Sequence, residues 1–212
     1  MSAANFVSEL KNLSFENTFN PYFDYCEVYD YKNSPQKRRG ILKKLLLAAE
    51  KVEVDSIWIG RDLGYRGGRR TGLALTDDVN FHSHLNRWSI NSNKLTKGDV
   101  VPERTASVIW SMLDKIETNV FLWNVFPLHP YESGSSFSNR AHNAFERRAG
   151  EELLGMLIDI IRPKRLIAIG NDAERAAQKF SPVKGVIKVR HPSYGGHNIF
   201  IKQIKDLYGL EL

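Results

Sequence analysis

Three polar residues stand where the sequence predicts that buried strands end. Asp62 lies just after one apolar, β-rich run, Asn124 ends a second, and His191 directly follows a third. Their side chains are suited to chemistry, because a carboxylate can orient water, an amide both donates and accepts hydrogen bonds, and an imidazole can donate to a developing anion. Since the carboxyl ends of parallel strands lie at one edge of a sheet, we expect the three to converge.

The segment that contains Asp62 is rich in glycine and arginine. From Gly60 to Gly72 it holds five glycines and four arginines. Glycines let the backbone approach a ligand closely and arginines attract phosphate, so the loop is a candidate ligand site. It has neither the pattern G-x-x-x-x-G-K-[ST] nor G-x-G-x-x-G, and an ordinary nucleotide cradle is not indicated. Alternatively, Asp62 could pair with Arg61 or Arg66 and only stabilise the loop.

Strands alternate with helices along the chain. Apolar runs predict strands at residues 54–60, 119–124, 165–170 and 186–190. Apolar periodicity predicts helices at residues 36–52, 104–117, 141–161 and 199–207, with a further helix near the N-terminus and a capped one from Asn171. This alternation is typical of a parallel sheet covered on both faces. We therefore predict one three-layer α/β/α domain, residues 1–212, with a central, mostly parallel four-stranded sheet.

Composition and charge restrict the class of protein. An apolar content of 42% and an aromatic content of 11% exclude a disordered chain. A net charge of +6 permits a polyanionic partner without proving one. Cys26, the only cysteine, excludes an internal disulfide and a four-cysteine iron–sulfur cluster and is typical of a reducing cytoplasm. Because no signal peptide or long apolar run is evident, we expect a cytoplasmic protein without membrane insertion.

The sequence around Asp62 resembles the first motif of the uracil-DNA glycosylase superfamily. One type reads GQDPYH followed by a segment ending GLAF, and here residues 60–65 read GRDLGY and residues 72–75 read GLAL at the same spacing. Another branch reads GEAPGYRG and then TG, which residues 64–67 and 71–72 match. The resemblance to the GQDPYH type implies that Asp62 orients water and offsets positive charge on the deoxyribose.

Two downstream segments match the same superfamily. Residues 121–130 read FLWNVFPLHP, similar to the WNxFPxHP run of bacterial members, and residues 191–196 read HPSYGG, which matches the HPS motif. The resemblance implies that Asn124 pairs with O4 and N3–H of uracil. It also implies that His191 donates a hydrogen bond to O2 as the base leaves as an anion. Without the resemblance, a turn cap would be the favoured role for Asn124.

The same match implies further contacts to the base, by Gly60, Gly64, Tyr65 and Leu75. Leu75 stands where the superfamily has the phenylalanine on which uracil stacks, so Tyr65 would have to supply the stacking surface. Gly64 stands where the GQDPYH type has a tyrosine that blocks a thymine methyl group. We therefore expect open room beside C5 of the base.

Contacts to DNA phosphates are expected from the arginines of the loop and from the segment after the HPS histidine, namely Arg66, Arg69, Arg70, Ser193, Tyr194 and Gly195. The sequence predicts a monomeric, monofunctional glycosylase that flips uracil out of DNA and removes it in base excision repair, without a metal or organic cofactor.

His82 and His84 could bind a metal, but no ligand triad accompanies them. Two alternatives stay open: a glycosylase for another base such as hypoxanthine, and a catalytically silent DNA-binding protein, suggested by Leu75 and Arg61.

Overall fold

A parallel sheet forms the centre of the computed structural model, which describes residues 1–180 and 185–211. The strands are β1 (Thr18–Phe19), β2 (Ser56–Asp62), β3 (Val120–Phe126), β4 (His129–Pro130), β5 (Arg165–Ile169) and β6 (Gly185–Val189). The helices are α1 (Ala3–Asn12), α2 (Ser34–Ala49), α3 (Gly68–Thr71), α4 (Phe81–Arg87), α5 (Arg104–Leu113), α6 (Ala144–Ile161), α7 (Asn171–Ala177) and α8 (His197–Tyr208). The sheet has the order β3-β2-β5-β6 with all pairs parallel, which confirms the prediction. The small antiparallel pair of β1 and β4 was not predicted.

Alternating side chains of the central strands face two separate cores. Ile57 and Ile59 of β2 pack with residues of α1, α2, α6 and α7, whereas Trp58 packs on the other face with residues of α5 and α8. Successive residues of a strand point to opposite faces, so a continuous apolar run buries both. Helices on both faces confirm the predicted three layers. In the part of the chain described, no helix is long and apolar enough to cross a membrane.

Two strands extend further than the sequence predicts. β2 ends at Asp62 and β3 continues past Asn124 to Phe126. In the register of these strands, Gly60 lies opposite Asn124 and Asp62 lies opposite Phe126. Gly60 and Asn124 therefore face the same side of the sheet. Since glycine has no side chain, the space above Gly60 is left to the asparagine amide and its neighbours.

A capping box fixes the start of α6 and the loop before it. Asn143 Oδ1 accepts hydrogen bonds from the backbone N–H groups of Phe145 and Glu146, and the Glu146 carboxylate accepts from the Asn143 N–H at 2.7 Å. The buried Glu146 also pairs with Arg140 at 2.6 Å. Such caps stabilise a helix by about 1 kcal/mol and explain why α6 begins later than the predicted residue 141.

The glycine-rich loop after β2 is anchored to the interior by Arg38 of α2. The guanidinium of Arg38 pairs with Asp30, and both side chains are fully buried. Its Nε donates to the carbonyl of Arg70 at 2.9 Å, and Tyr22 Oη donates to the carbonyl of Gly72 at 2.7 Å. Gly72 ends α3 with φ of +70°, a conformation that glycine adopts without strain. These hydrogen bonds hold the loop backbone against the interior of the protein.

Arg69 is also turned inward. Only 4% exposed, it donates from Nε to Tyr29 Oη at 2.9 Å and from Nη1 to the carbonyl of Ser136. The same Nη1 lies 3.0 Å from His129 Nδ1. Burial, followed by the charge of Arg69, lowers the pKa of His129 to about 4, so this imidazole is neutral.

Arg70 points inward as well and is 7% exposed. Its Nε donates to Asp78 Oδ2 at 2.8 Å, and its guanidinium lies over the ring of Tyr29. The phosphate contacts predicted for Arg69 and Arg70 are therefore not supported by their positions, because both guanidinium groups are buried and use their N–H groups inside the protein. Arginine suits this role because it stays charged and offers several directed donors.

Replacement of Arg70 by alanine is expected to lower the free energy of unfolding by about 3–5 kcal/mol, because Asp78 is left as an unpaired buried charge. Urea denaturation followed by circular dichroism measures the change. The matched control is Arg66→Ala, which removes an exposed arginine of the same loop and should change stability by less than about 0.5 kcal/mol. Equal losses in the two variants would contradict the structural role of Arg70.

Candidate active site

A cavity of about 480 Å³ opens at the carboxyl ends of β2, β5 and β6. Six residues predicted for the site line it, namely Asp62, Gly64, Leu75, His191, Ser193 and Tyr194. The other seven predicted residues lie outside this lining, namely Gly60, Tyr65, Arg66, Arg69, Arg70, Asn124 and Gly195. The structure thus brings Asp62 and His191 to one cavity, as expected for parallel strands.

The side-chain amide of Asn124 is buried without a hydrogen-bond partner. The residue is 1% exposed, and neither Oδ1 nor Nδ2 finds a partner in the described part of the chain. An unpaired buried polar group costs about 1–3 kcal/mol, so such groups are normally satisfied. Since the amide offers an acceptor beside donors, it suits a ligand edge that carries a donor beside an acceptor. The turn-capping alternative for Asn124 is excluded, because the residue lies within β3.

Leu75 packs beside this amide at the wall of the cavity. Its Cδ2 lies 2.9 Å from the position that a Cβ on Gly60 would take, and Asn124 Oδ1 lies closer still to that position. Leu75 has φ of +53°, which is uncommon for a residue with a side chain, and its carbonyl accepts a hydrogen bond from Trp110 Nε1 at 3.1 Å. A ligand that reaches the amide from the cavity must therefore move past Leu75.

His191 is held as a neutral imidazole. The backbone N–H of Ser193 donates to His191 Nδ1 at 3.1 Å, and Ser193 Oγ lies 2.7 Å from the same nitrogen. Because a backbone N–H can only donate, Nδ1 is the unprotonated nitrogen and Nε2 carries the hydrogen. Burial, followed by the charges of Arg61 and Arg190, lowers the pKa of His191. The ring is thus prepared to donate from Nε2.

Both carboxylate oxygens of Asp62 have partners. Oδ1 lies 2.5 Å from His142 Nδ1, and Oδ2 accepts from Arg61 Nε at 2.6 Å. The pairing with Arg61 that the sequence allowed is therefore present. The side chains of Asp62 and His142 are only 6% and 7% exposed. Since a carboxylate can accept about four hydrogen bonds, Asp62 keeps acceptor capacity for a water molecule while its orientation is fixed.

Two residues that support the predicted site were not predicted. His142 contacts Asp62 from 80 positions further along the chain, and the only local signal is its place before the cap of α6. Gly170 has φ of +91°, and a Cβ there would lie 3.3 Å from the Cβ of His191. Glycine at this position therefore leaves room for the imidazole.

Glu103 fills the space beside the glycine-rich loop. A Cβ on Gly64 or on Gly67 would collide with its carboxylate oxygens, so the room expected at Gly64 is occupied. Its backbone N–H donates to Asp77 Oδ2 at 2.6 Å, but its carboxyl group forms no ion pair or hydrogen bond with the described residues. Burial, followed by the charge of Asp77, raises the pKa of Glu103 to about 7, while Arg66 opposes the shift.

The exposed tyrosine and arginine of the loop lie together. Arg66 donates from Nε to Tyr65 Oη at 2.9 Å, and its guanidinium lies 5.5 Å from the centre of that ring. Tyr65 itself donates its backbone N–H to Asn139 Oδ1 at 3.0 Å. In this conformation the Tyr65 ring contacts Arg66 and does not provide a stacking surface in the cavity.

The histidine pair considered for metal binding has a different environment. Nδ1 of His84 lies 2.8 Å from Thr76 Oγ1, and the ring packs against Trp110. Burial lowers the pKa of His84 to about 3, so it is a neutral part of the core. Among residues 1–180 and 185–211, no cluster of three or more His, Cys, Asp or Glu side chains could hold a metal ion.

The raised pKa of Glu103 predicts a pH dependence of stability. Its pKa is about 7 in the folded protein against an ordinary value of 4.5, so the folded protein binds more protons between these values. The stability of the wild type relative to Glu103→Gln should therefore fall as pH rises from about 4.5 to about 7, and then level off. Urea denaturation of both proteins across this range checks the result, and a constant difference would contradict it.

Comparison with known proteins agrees with these features. A family model described as the uracil DNA glycosylase superfamily matches residues 51–204. The structure of SMUG2 from Pedobacter heparinus is similar in fold, with 15% identity, a TM-score of 0.58, and coverage of 99% of this chain and 98% of that chain. Wild-type UNG from Nitratifractor salsuginis gives 15% identity and a TM-score of 0.43 over 97% and 94% of the two chains. No match was found among curated proteins.

The matched segment spans well over half of the 212 residues and contains β2, β3, β5 and β6. It includes all three motifs on which the resemblance was based, and the resemblance is confirmed. This chain belongs to the uracil DNA glycosylase superfamily.

Proposed function

We propose that this chain is a monofunctional DNA glycosylase that hydrolyses the N-glycosidic bond of uracil in DNA. The observation that carries the proposal is the buried, unpartnered amide of Asn124. Uracil presents the N3–H donor beside the O4 acceptor, and one amide can satisfy both. The target nucleotide must leave the base stack to reach this depth, which is how enzymes that act on a base in DNA gain access to it.

His191 is suited to stabilise the departing base. When the glycosidic bond breaks, its electron pair leaves with the base, and negative charge develops on O2 and N1. A neutral imidazole that donates from Nε2 strengthens its hydrogen bond as this charge grows, which lowers the barrier. The low pKa of His191 favours this form near neutral pH.

Asp62 is suited to the sugar side of the reaction. Its carboxylate can stabilise the positive charge that develops at C1′ and can accept the proton that is released when the water oxygen bonds to C1′. The contacts to Arg61 and His142 orient it for both tasks. No lysine is among the described residues that line the cavity, which supports hydrolysis by water rather than a covalent lyase step.

Exposed groups near the cavity are suited to contact the phosphates and bases of DNA. Arg61 and Arg190 are exposed cations that line the cavity, and Arg66 is exposed on the adjoining loop. These three replace the buried Arg69 and Arg70 as candidates for phosphate contacts. Tyr194 is 97% exposed and has φ of +51° on the turn after His191, so its ring can contact bases or the backbone. Ser193 instead uses its N–H to support His191.

Two observations favour the catalytically silent alternative. Leu75 lines the cavity whereas Asn124 does not, and Arg61 neutralises part of the charge of Asp62. The decisive assay exposes duplexes with a single uracil, hypoxanthine or 5-substituted uracil to the protein and detects alkali-sensitive abasic sites. Cleavage at uracil supports the proposal. Faster cleavage at hypoxanthine favours the other-base alternative, and no abasic sites at any lesion favours the silent protein.

The catalytic assignments predict large losses of activity. Asp62→Asn and His191→Ala should each lower single-turnover cleavage of a uracil duplex by about 10²-fold or more, the scale for losing one contact made in the transition state. Binding to a duplex with an uncleavable 2′-fluoro uracil nucleotide should change little in His191→Ala. Rates near wild type in both variants would overturn the assignments.

The exposed arginines predict a change in the salt dependence of DNA binding. Arg66→Ala and Arg190→Ala should each reduce the slope of log affinity against log salt by about 0.7–0.9, the value for one phosphate contact. The control is Lys51→Ala, which removes an exposed cation just before β2, at the opposite end of the strands. If both arginine variants kept the wild-type slope, these side chains would not contact phosphate.

A further inference from the structure

Glu103 is a carboxyl group in the cavity to which the proposed reaction gives no role. It precedes α5 and lies against the backbone of Gly64 and Gly67. It lines the same cavity as Asp62, Leu75 and His191. Because its carboxyl group has no partner in the described part of the chain, it can bond to a ligand without first breaking a bond within the protein.

The position of the proposed contacts indicates which edge of the base meets Glu103. Asn124 lies on β3 and His191 follows β6, at opposite edges of the sheet. A uracil ring with N3–H and O4 towards Asn124 and O2 towards His191 turns its remaining C5–C6 edge away from both. Gly64 and Glu103 both line the cavity, and the Glu103 carboxylate lies against the backbone of Gly64. A base held by these two contacts can present its C5–C6 edge to this part of the wall.

We infer that Glu103 is a specificity-determining residue that selects bases with a hydrogen-bonding substituent at C5, such as hydroxymethyl, over bases with an apolar group of the same size. This inference rests on the proposed function and specifies its substrate class. A hydroxyl at C5 bonds to the carboxyl group, whereas an ethyl group covers the carboxyl group and leaves it without water or partner. A site built to bond a hydroxyl rejects an analogue that lacks it much more strongly than a purely apolar pocket does.

The chemistry of Glu103 suits a hydroxyl partner in either protonation state. Burial, followed by the charge of Asp77, raises the pKa of Glu103 to about 7, while Arg66 opposes the shift, so acid and carboxylate are both present around neutral pH. The carboxylate accepts a hydrogen bond from the hydroxyl, and the neutral acid can also donate one. The contact therefore does not depend on a single charge state.

The test compares two substituents of equal size. Duplexes carry either 5-hydroxymethyluracil or 5-ethyluracil, and kcat/KM is measured for the wild type, Glu103→Gln and Glu103→Leu. Wild type and Glu103→Gln, which both offer hydrogen bonds, should favour hydroxymethyl by about tenfold or more. Glu103→Leu keeps similar size without hydrogen bonds and should bring the ratio close to one. The exposed Glu152→Ala on α6 serves as the control and should keep the wild-type ratio.

Binding separates this inference from the proposed reaction. The same two bases are placed on uncleavable 2′-fluoro nucleotides, and the ratio of dissociation constants is measured for each protein. Absence of cleavage by the wild type would overturn the proposed function, while a binding preference lost in Glu103→Leu would still support recognition by Glu103. A Glu103→Leu variant that folds, as judged by its thermal transition, and keeps the wild-type preference in binding would overturn the inference.

Discussion

Buried arginines that hold the glycine-rich loop are the constraint on which the site depends. Arg38, Arg69 and Arg70 reach the loop or extend from it into the interior, where they meet carboxylates, carbonyls and aromatic rings. A guanidinium stays charged at every relevant pH, so it can be buried only when carboxylates or hydrogen-bond acceptors pair with it. The partners come from distant parts of the chain, including Asp30 and Asp78. A loop rich in glycine, which would otherwise sample many conformations, is thereby fixed beside β2.

The sequence predicted the sheet well because apolar runs and their alternation with helices report directly on burial. It also predicted that Asp62 and His191 would share a cavity, since parallel strands end at one edge. The direction of the arginines was not predictable in the same way. Arginine binds phosphate and buried carboxylate by the same fork of donors, and composition cannot tell the two partners apart. Arg69 meets Tyr29 across 40 positions of the chain, a contact without local signal.

Long-range contacts also explain the other site residues that the sequence did not indicate. His142 reaches Asp62 because the capping box at Asn143 fixes the turn before α6. Glu103 reaches Gly64 because the loop before α5 packs over two glycines that have no side chains to exclude it. In both cases the sequence contains an ordinary polar residue beside a helix start. Only the tertiary structure gives it a partner or a desolvated environment.

In the proposed function, the amide of Asn124 would link the stability of the protein to its selectivity. Without a ligand, each unpaired buried atom lowers stability by about 1–3 kcal/mol. A base with matching donor and acceptor removes this cost on binding, whereas a mismatched base leaves it in place, so the penalty becomes discrimination. Leu75 Cδ2 lies beside the same position above Gly60 as Asn124 Oδ1, so the Leu75 side chain contributes to the burial of the amide. A base that pairs with a buried amide gains more from the contact than it would at a site open to solvent, because an exposed amide exchanges one hydrogen-bond partner for another.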